Sequence, residues 1–211
     1  MTNPVDSETW ARLGVSRESL ARLEVLVSVL GRWQKRINLI APSTLAEIWN
    51  RHILDSAQLL PLIPKGVEAI ADLGSGGGFP SLVLAAIQPA KVHLYESNAK
   101  KVAFLEEALR QMKVEAVVHC QRLQLREAPQ NMPKVQLVTA RAFAPLSELL
   151  AYAEPFMAQG ATGLFHKGQD VDAELTQAAK SWKITAQKHS SLTDSKAVIL
   201  DVKEIIRVDR N

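Results

Sequence analysis

The sequence predicts an α/β fold in which a parallel sheet is covered on both faces and preceded by a helical cap. Three observations carry this. From Val67 onward, apolar runs of strand length alternate with amphipathic runs of helix length, the pattern of strands joined by crossover helices. The first such strand, Val67 to Leu73, ends in the glycine-rich stretch Gly74-Ser75-Gly76-Gly77-Gly78. The residues before it have no strand pattern and repeat instead at a helical period. The chain therefore divides into a helical cap, 1–65, and a sheet domain, 66–211, forming one compact unit, with Lys65-Gly66 as the join.

Within the cap, Leu20, Leu23, Val27, Leu30 and Trp33 form one apolar stripe, widened by Leu26 and Val29. A second helix is expected from about Thr44, where the hydroxyl and Glu47 three residues on suit a capping box. Its apolar residues include Trp49, Ile53 and Leu60, and Pro61 and Pro64 close it. Trp33 and Trp49 are read as core anchors. His52 and Asp55 lie three apart on this helix and can meet on one face. A satisfied polar pair is the plainer account; orienting a loop over a ligand or touching a substrate is the other.

The glycine stretch is the first candidate site. Strand, glycine turn and helix (Ser81 to Ile87) together aim backbone N–H groups at a ligand beyond the strand's carboxyl end, and Pro80 suits the helix's first turn. The spacing departs from the dinucleotide pattern, because Phe79 stands where the last glycine belongs and the third glycine is Gly78. No Gly-Lys-Ser/Thr ending follows, which excludes a P-loop. The next strand, Lys91 to Tyr95, runs into Glu96, where a carboxylate would accept hydrogen bonds from ribose hydroxyls. The turn and the acid together indicate a nucleoside.

The remaining elements follow in order. Asn98 can cap a helix reaching Met112, and Val114 to Cys120 reads as a third strand. Val135 to Thr139 is a fourth, then a helix from about Pro145 to Met157, interrupted or ended near Pro155. Ala161 to His166 is a fifth strand, and a helix from Asp170 to Lys180 follows. Lys183 to His189 and Ala197 to Val208 are β-rich with a short link and form an antiparallel pair.

Composition narrows the class. With 211 residues, 47% hydrophobic and 22% charged, the chain is expected to be one soluble globular protein. Cys120 is the single cysteine, so neither an intrachain disulfide nor a cysteine metal cluster is available, and no metal site is assigned. The N-terminus has no signal-peptide pattern and no apolar run is long enough to span a membrane, so a cytoplasmic protein with no membrane partner is expected. The net charge of +3 is compatible with a polyanionic partner.

Several separated stretches resemble one family. Asp72-Leu73-Gly74-Ser75-Gly76-Gly77-Gly78 is similar to motif I of the S-adenosylmethionine-dependent methyltransferases. Arg36-Ile37-Asn38-Leu39, Arg51-His52-Ile53-Leu54-Asp55-Ser56, Glu96 through Leu105 and Thr139-Ala140-Arg141-Ala142 extend the likeness, in order, to the bacterial RsmG (GidB) family of 16S rRNA (guanine-527-N7) methyltransferases. The resemblance implies a Rossmann-like methyltransferase fold, a seven-stranded sheet with its last strand antiparallel. It implies S-adenosylmethionine as cofactor, with Gly74, Gly76, Gly78, Phe79, Glu96, Leu123, Gln124 and Arg141 at that site. Arg122, Arg141 and Lys167 resemble the family's basic residues near the RNA. The implied partner is 16S rRNA, within the small ribosomal subunit or an assembly intermediate, with the protein acting as a monomer. Two positions depart from the family: Ser81 replaces a glycine and Gln124 a glutamate.

The residues also constrain mechanism. Pyrimidine C5 methylation needs a cysteine nucleophile, and Cys120 lies away from the fourth strand. Amino methylation uses an Asn/Asp-Pro-Pro-aromatic turn after the fourth strand, where this chain has Ala140-Arg141-Ala142-Phe143. Guanine N7 has a free lone pair, so proximity and orientation suffice and no residue is assigned as general base. Two other readings stay open: a small-molecule methyltransferase, and a non-catalytic RNA-binding assembly module.

Overall fold

A computed structural model describes residues 2–208; residue 1 of the expected cap and residues 209–211 of the expected sheet domain lie outside the described residues. Seven strands form one sheet: β1 (Ala69–Leu73), β2 (Lys91–Glu96), β3 (Val117–Cys120), β4 (Leu137–Arg141), β5 (Thr162–Lys167), β6 (Trp182–Ser190) and β7 (Val198–Arg207). Their spatial order is β3-β2-β1-β4-β5-β7-β6. The first five are parallel, and β7 runs antiparallel to both β5 and β6. The order reverses at β1, so the carboxyl ends of β1, β2 and β4 open on one crevice, the place where open α/β sheets bind ligands.

Helices cover both faces. On one side α2 (Arg17–Trp33), α4 (Ser81–Ile87) and α5 (Ala99–Met112) pack with Ile70, Leu94 and Leu137 of the sheet. On the other, α6 (Leu146–Met157) and α7 (Val171–Ala178) pack on Leu73, Val138 and Phe165. Short α1 (Ser7–Arg12) is capped by Asp6, and its Trp10 meets Trp49 edge-on at 6.4 Å. Trp33 likewise meets Phe104 of α5 at 6.0 Å. The helical segment before Lys65 thus shares one continuous apolar core with the sheet.

Two local expectations are corrected. The stretch from Pro42 is not one α-helix: a 3-10 turn (Pro42–Glu47) leads into a π-helical turn (Trp49–Leu54) and then α3 (Asp55–Ala57). Thr44 makes no capping box, because its hydroxyl donates to the Ala41 carbonyl at 2.8 Å. The wide turn is closed by the Asp55 N–H, which bonds the Asn50 carbonyl five residues back, and such turns recur at functional sites. The second correction is α6, which runs through Pro155. Proline supplies no N–H to the carbonyl four residues earlier. That carbonyl, on Ala151, instead accepts the Arg126 N–H at 2.8 Å, which pins the loop between β3 and β4 to the helix.

Candidate active site

A cavity of about 680 Å³ lies at the carboxyl ends of β1, β2 and β4. The glycine turn forms one wall. Gly74 has φ +68°, and a Cβ there would sit 2.1 Å from the Phe143 ring. Gly77 is required by a close approach instead: a Cβ would lie 2.7 Å from the Leu39 carbonyl oxygen. The segment carrying Leu39 is held there by Gln34, whose Oε1 accepts the Leu39 and Ile40 N–H groups at 3.0 and 3.1 Å. Helix α2 therefore reaches the cavity through this clamp.

Glu96, ending β2, is fixed by two backbone donors. Its Oε2 accepts the Gly76 N–H at 2.9 Å and its Oε1 the Asn98 N–H at 2.8 Å. Each carboxylate oxygen keeps acceptor capacity for a hydroxyl in the cavity. Below the turn, Asp72 is buried and its Oδ1 accepts from Thr139 Oγ1 at 2.8 Å. Desolvation pushes its pKa up to about 6, against the opposing hydrogen bond from Thr139. A bare backbone wall, an anchored carboxylate and a crevice at the strand ends fit the amino-acid and ribose portions of S-adenosylmethionine.

Arg141, ending β4, is the most heavily tied group of the site. Its Nε forms an ion pair with Asp55 Oδ2 at 3.1 Å, while Nη1 donates to His52 Nδ1 at 3.0 Å and Nη2 to the Arg51 carbonyl at 2.8 Å. The network assigns the histidine tautomer. The single Thr44 hydroxyl proton goes to Ala41, so Thr44 Oγ1 accepts the Nε2 proton of His52 at 2.8 Å, which leaves Nδ1 as acceptor. Burial first, then the Arg141 charge, hold His52 neutral, lowering its pKa to about 4. His52 also lies against the Phe79 ring at 5.0 Å, and the Arg141 guanidinium stands 6.0 Å from that ring's centre. His52 and Asp55 meet through Arg141, across the join between helical segment and sheet.

Of the residues singled out from sequence, Gly74, Gly76, Phe79, Glu96, Arg122, Leu123 and Arg141 border this cavity. Gly78 and Gln124 do not. A Cβ on Gly78 would lie 2.3 Å from the Leu82 side chain and 3.2 Å from that of Leu105, so the third glycine lets the turn pack on α4 and α5. Gln124 is exposed in the loop after β3. Lys167 borders a second cavity of about 320 Å³ that shares Arg141 and Phe143 with the first. Its ammonium pairs with Glu174 Oε2 at 2.5 Å and donates to the Ala144 carbonyl at 3.3 Å. Lys101 and Tyr152 also border the first cavity and Glu174 the second; sequence reasoning missed all three. Only Lys101 left a signal, since it follows the Asn98 cap one turn beyond Glu96.

A sheet of this order with β7 reversed, and a glycine turn and acid at adjacent strand ends, define a methyltransferase of the Rossmann-like class. Solved structures agree on the fold: a SAM-dependent methyltransferase from Aquifex aeolicus superposes with TM-score 0.55 at 16% identity, covering 83% of this chain and 98% of its own. P. horikoshii TYW2, in complex with MeSAdo, gives 0.52 at 15% identity, over 82% of this chain and 65% of its own. Residues 19–203 match the GidB family model, rRNA small subunit methyltransferase G, and the chain belongs to that family. The protein of that name from Rhodospirillum rubrum is 48% identical over 93% of this chain and 96% of its own length. The one from Bradyrhizobium diazoefficiens is 52% identical, over 85% of this chain and 70% of its own.

Proposed function

We propose that this chain methylates N7 of a guanine in 16S rRNA, acting as a cytoplasmic monomer on the small ribosomal subunit or an assembly intermediate of it. Its family makes it an S-adenosylmethionine-dependent rRNA methyltransferase. The observation that carries the finer reading is Arg141, whose side chain borders both cavities. The first cavity is assigned to the cofactor and the second to the target base. When bound, S-adenosylmethionine supplies a methyl group on a positively charged sulfur.

Each residue then has a physical task. Gly74, Gly76 and Phe79 shape the cofactor wall, and Glu96 accepts from ribose hydroxyls. Leu123 flanks the nucleoside. Arg141 has five N–H groups; one on each Nη is bonded, to His52 and to the Arg51 carbonyl, and Nε pairs with Asp55, so the second N–H of each Nη is left for the ligands between which it stands. Arg122 and Lys167 hold phosphate oxygens, which position RNA without reading its sequence. A phosphate would compete with Glu174 for Lys167. No general base is needed at N7, and His52 is poorly placed to be one, because both ring nitrogens are engaged. Cys120 ends the edge strand β3, with β2 and β1 between it and β4, which suits no C5 mechanism. The test is transfer of radiolabelled methyl from S-adenosylmethionine to undermethylated small-subunit particles, with the modified nucleotide mapped. Label at a single guanine N7 supports the reading; label on another base or atom overturns it.

A further inference from the structure

The charge around the first cavity is unevenly distributed. Arg141, Arg122 and Lys101 border it, and Glu96 is the one carboxylate that does so among the described residues. A cationic cofactor would thus enter a site with more positive than negative side chains. The Arg141 side chain is only 20% exposed, so water screens its charge poorly. Its charge is opposed by Asp55, which borders the second cavity and is 13% exposed at the side chain. Asp55 is itself firmly built in. Its Oδ1 accepts from Gln58 Nε2 at 2.8 Å and from Thr193 Oγ1 at 2.7 Å, and its backbone carbonyl accepts from His166 Nε2 at 2.8 Å. The other partners of Arg141, His52 and the Arg51 carbonyl, are neutral. Asp55 is therefore the only formal negative charge in contact with Arg141 among the described residues.

We propose that Asp55 is a specificity-determining residue that sets the preference between the two forms of the cofactor: by neutralising Arg141 it permits the cationic sulfonium donor to bind, an effect that the neutral thioether by-product does not feel. This rests on the assignment of the first cavity to S-adenosylmethionine. Methyl transfer breaks the carbon–sulfur bond, leaves its electron pair on sulfur, and forms a carbon–nitrogen bond at the acceptor. The cofactor thereby loses its charge, and the energetic role of Asp55 differs before and after the reaction. A residue that merely supported the fold would affect both forms alike.

Affinities of S-adenosylmethionine and S-adenosylhomocysteine, measured by titration calorimetry on the full chain, separate these cases. At an effective dielectric of about 20, a unit charge roughly 10 Å away changes a binding constant on the order of tenfold. Asp55→Asn keeps an acceptor oxygen but leaves Arg141 unopposed, and should weaken the sulfonium form about tenfold relative to the thioether. Arg141→Gln leaves Asp55 unopposed and should shift the ratio the other way, whatever it does to both affinities. The double variant should return the ratio to the wild-type value, and it stays informative if Asp55→Asn alone does not fold. Equal losses for the two ligands, or shifts of the same sign in both single variants, would overturn the inference while leaving the cofactor site in place. A wild-type protein that bound neither ligand would overturn the cofactor assignment and the inference with it.

Discussion

Glu96 accepts the Gly76 N–H at 2.9 Å, so the acid that ends β2 is bonded to the glycine turn that follows β1. The same carboxylate holds Asn98, whose own Oδ1 accepts the Lys100 N–H at 3.0 Å and caps α5. Glu96→Ala should therefore weaken S-adenosylmethionine both by removing an acceptor and by loosening the turn. A lost charge-assisted hydrogen bond costs roughly 1.5–3 kcal/mol, about ten- to a hundred-fold in affinity. RNA affinity should be unchanged. A parallel loss of RNA binding, read by filter retention, would move Glu96 out of the cofactor site.

Gly74→Val should abolish cofactor binding. Its φ of +68° disfavours any branched residue, and the first added carbon already meets the Phe143 ring. Gly78→Ala makes the contrast, since its Cβ would strike Leu82 and Leu105 in the core. That variant should lose thermal stability ahead of affinity. Calorimetry with S-adenosylhomocysteine beside thermal denaturation distinguishes the two; unchanged affinity in folded Gly74→Val would remove the site from this turn.

Asp72 makes a pH-dependent contribution whose sign is fixed. Its pKa is raised from 3.8 to about 6, so the folded protein holds this proton more tightly than the unfolded chain. The stabilisation is complete below the unfolded value and is lost as pH rises through the folded one. Relative to wild type, Asp72→Asn should gain stability between pH 4 and pH 6, by up to roughly 3 kcal/mol, and run parallel above. His52 and His93, both lowered to about 4, act in the opposite sense over this window but cancel in the comparison. Urea denaturation across the series checks it; a difference independent of pH would mean Asp72 is ionised throughout.

Arg122→Ala and Lys167→Ala should reduce methyl transfer far more than cofactor affinity. Each should lower the salt dependence of RNA binding by about one phosphate contact. For Lys167 the effect also reports release from Glu174, and Glu174→Gln should leave the lysine free for phosphate. Wild-type transfer by both alanine variants would confine the RNA site to the helical segment.

The sheet, its reversed last strand and the glycine turn were legible because they rest on local pattern and a short motif. Glu96 was legible for the same reason, as the acid at the end of the next strand. The stretch from Pro42 to Asp55 was not: its apolar spacing suits an α-helix, and the backbone bonds from Thr44 to Ala41 and from Asp55 to Asn50 are what mark the tighter and wider turns. Pro155 predicted a break that a distant N–H, on Arg126, makes unnecessary. The Arg141–Asp55 contact joins remote parts of the chain, and neither residue's local context signals the other. Gly78 shows the limit of a motif: its spacing suggests a ligand, whereas its neighbours are core leucines.

The most direct test of the account is Arg141→Ala, assayed for S-adenosylhomocysteine affinity and for methyl transfer to undermethylated small subunits, beside Lys167→Ala. Arg141 borders both cavities and Lys167 only the second. The account predicts that Arg141→Ala lowers affinity and transfer together, while Lys167→Ala lowers transfer alone. Full transfer by a folded Arg141→Ala protein, with cofactor affinity intact, would contradict it.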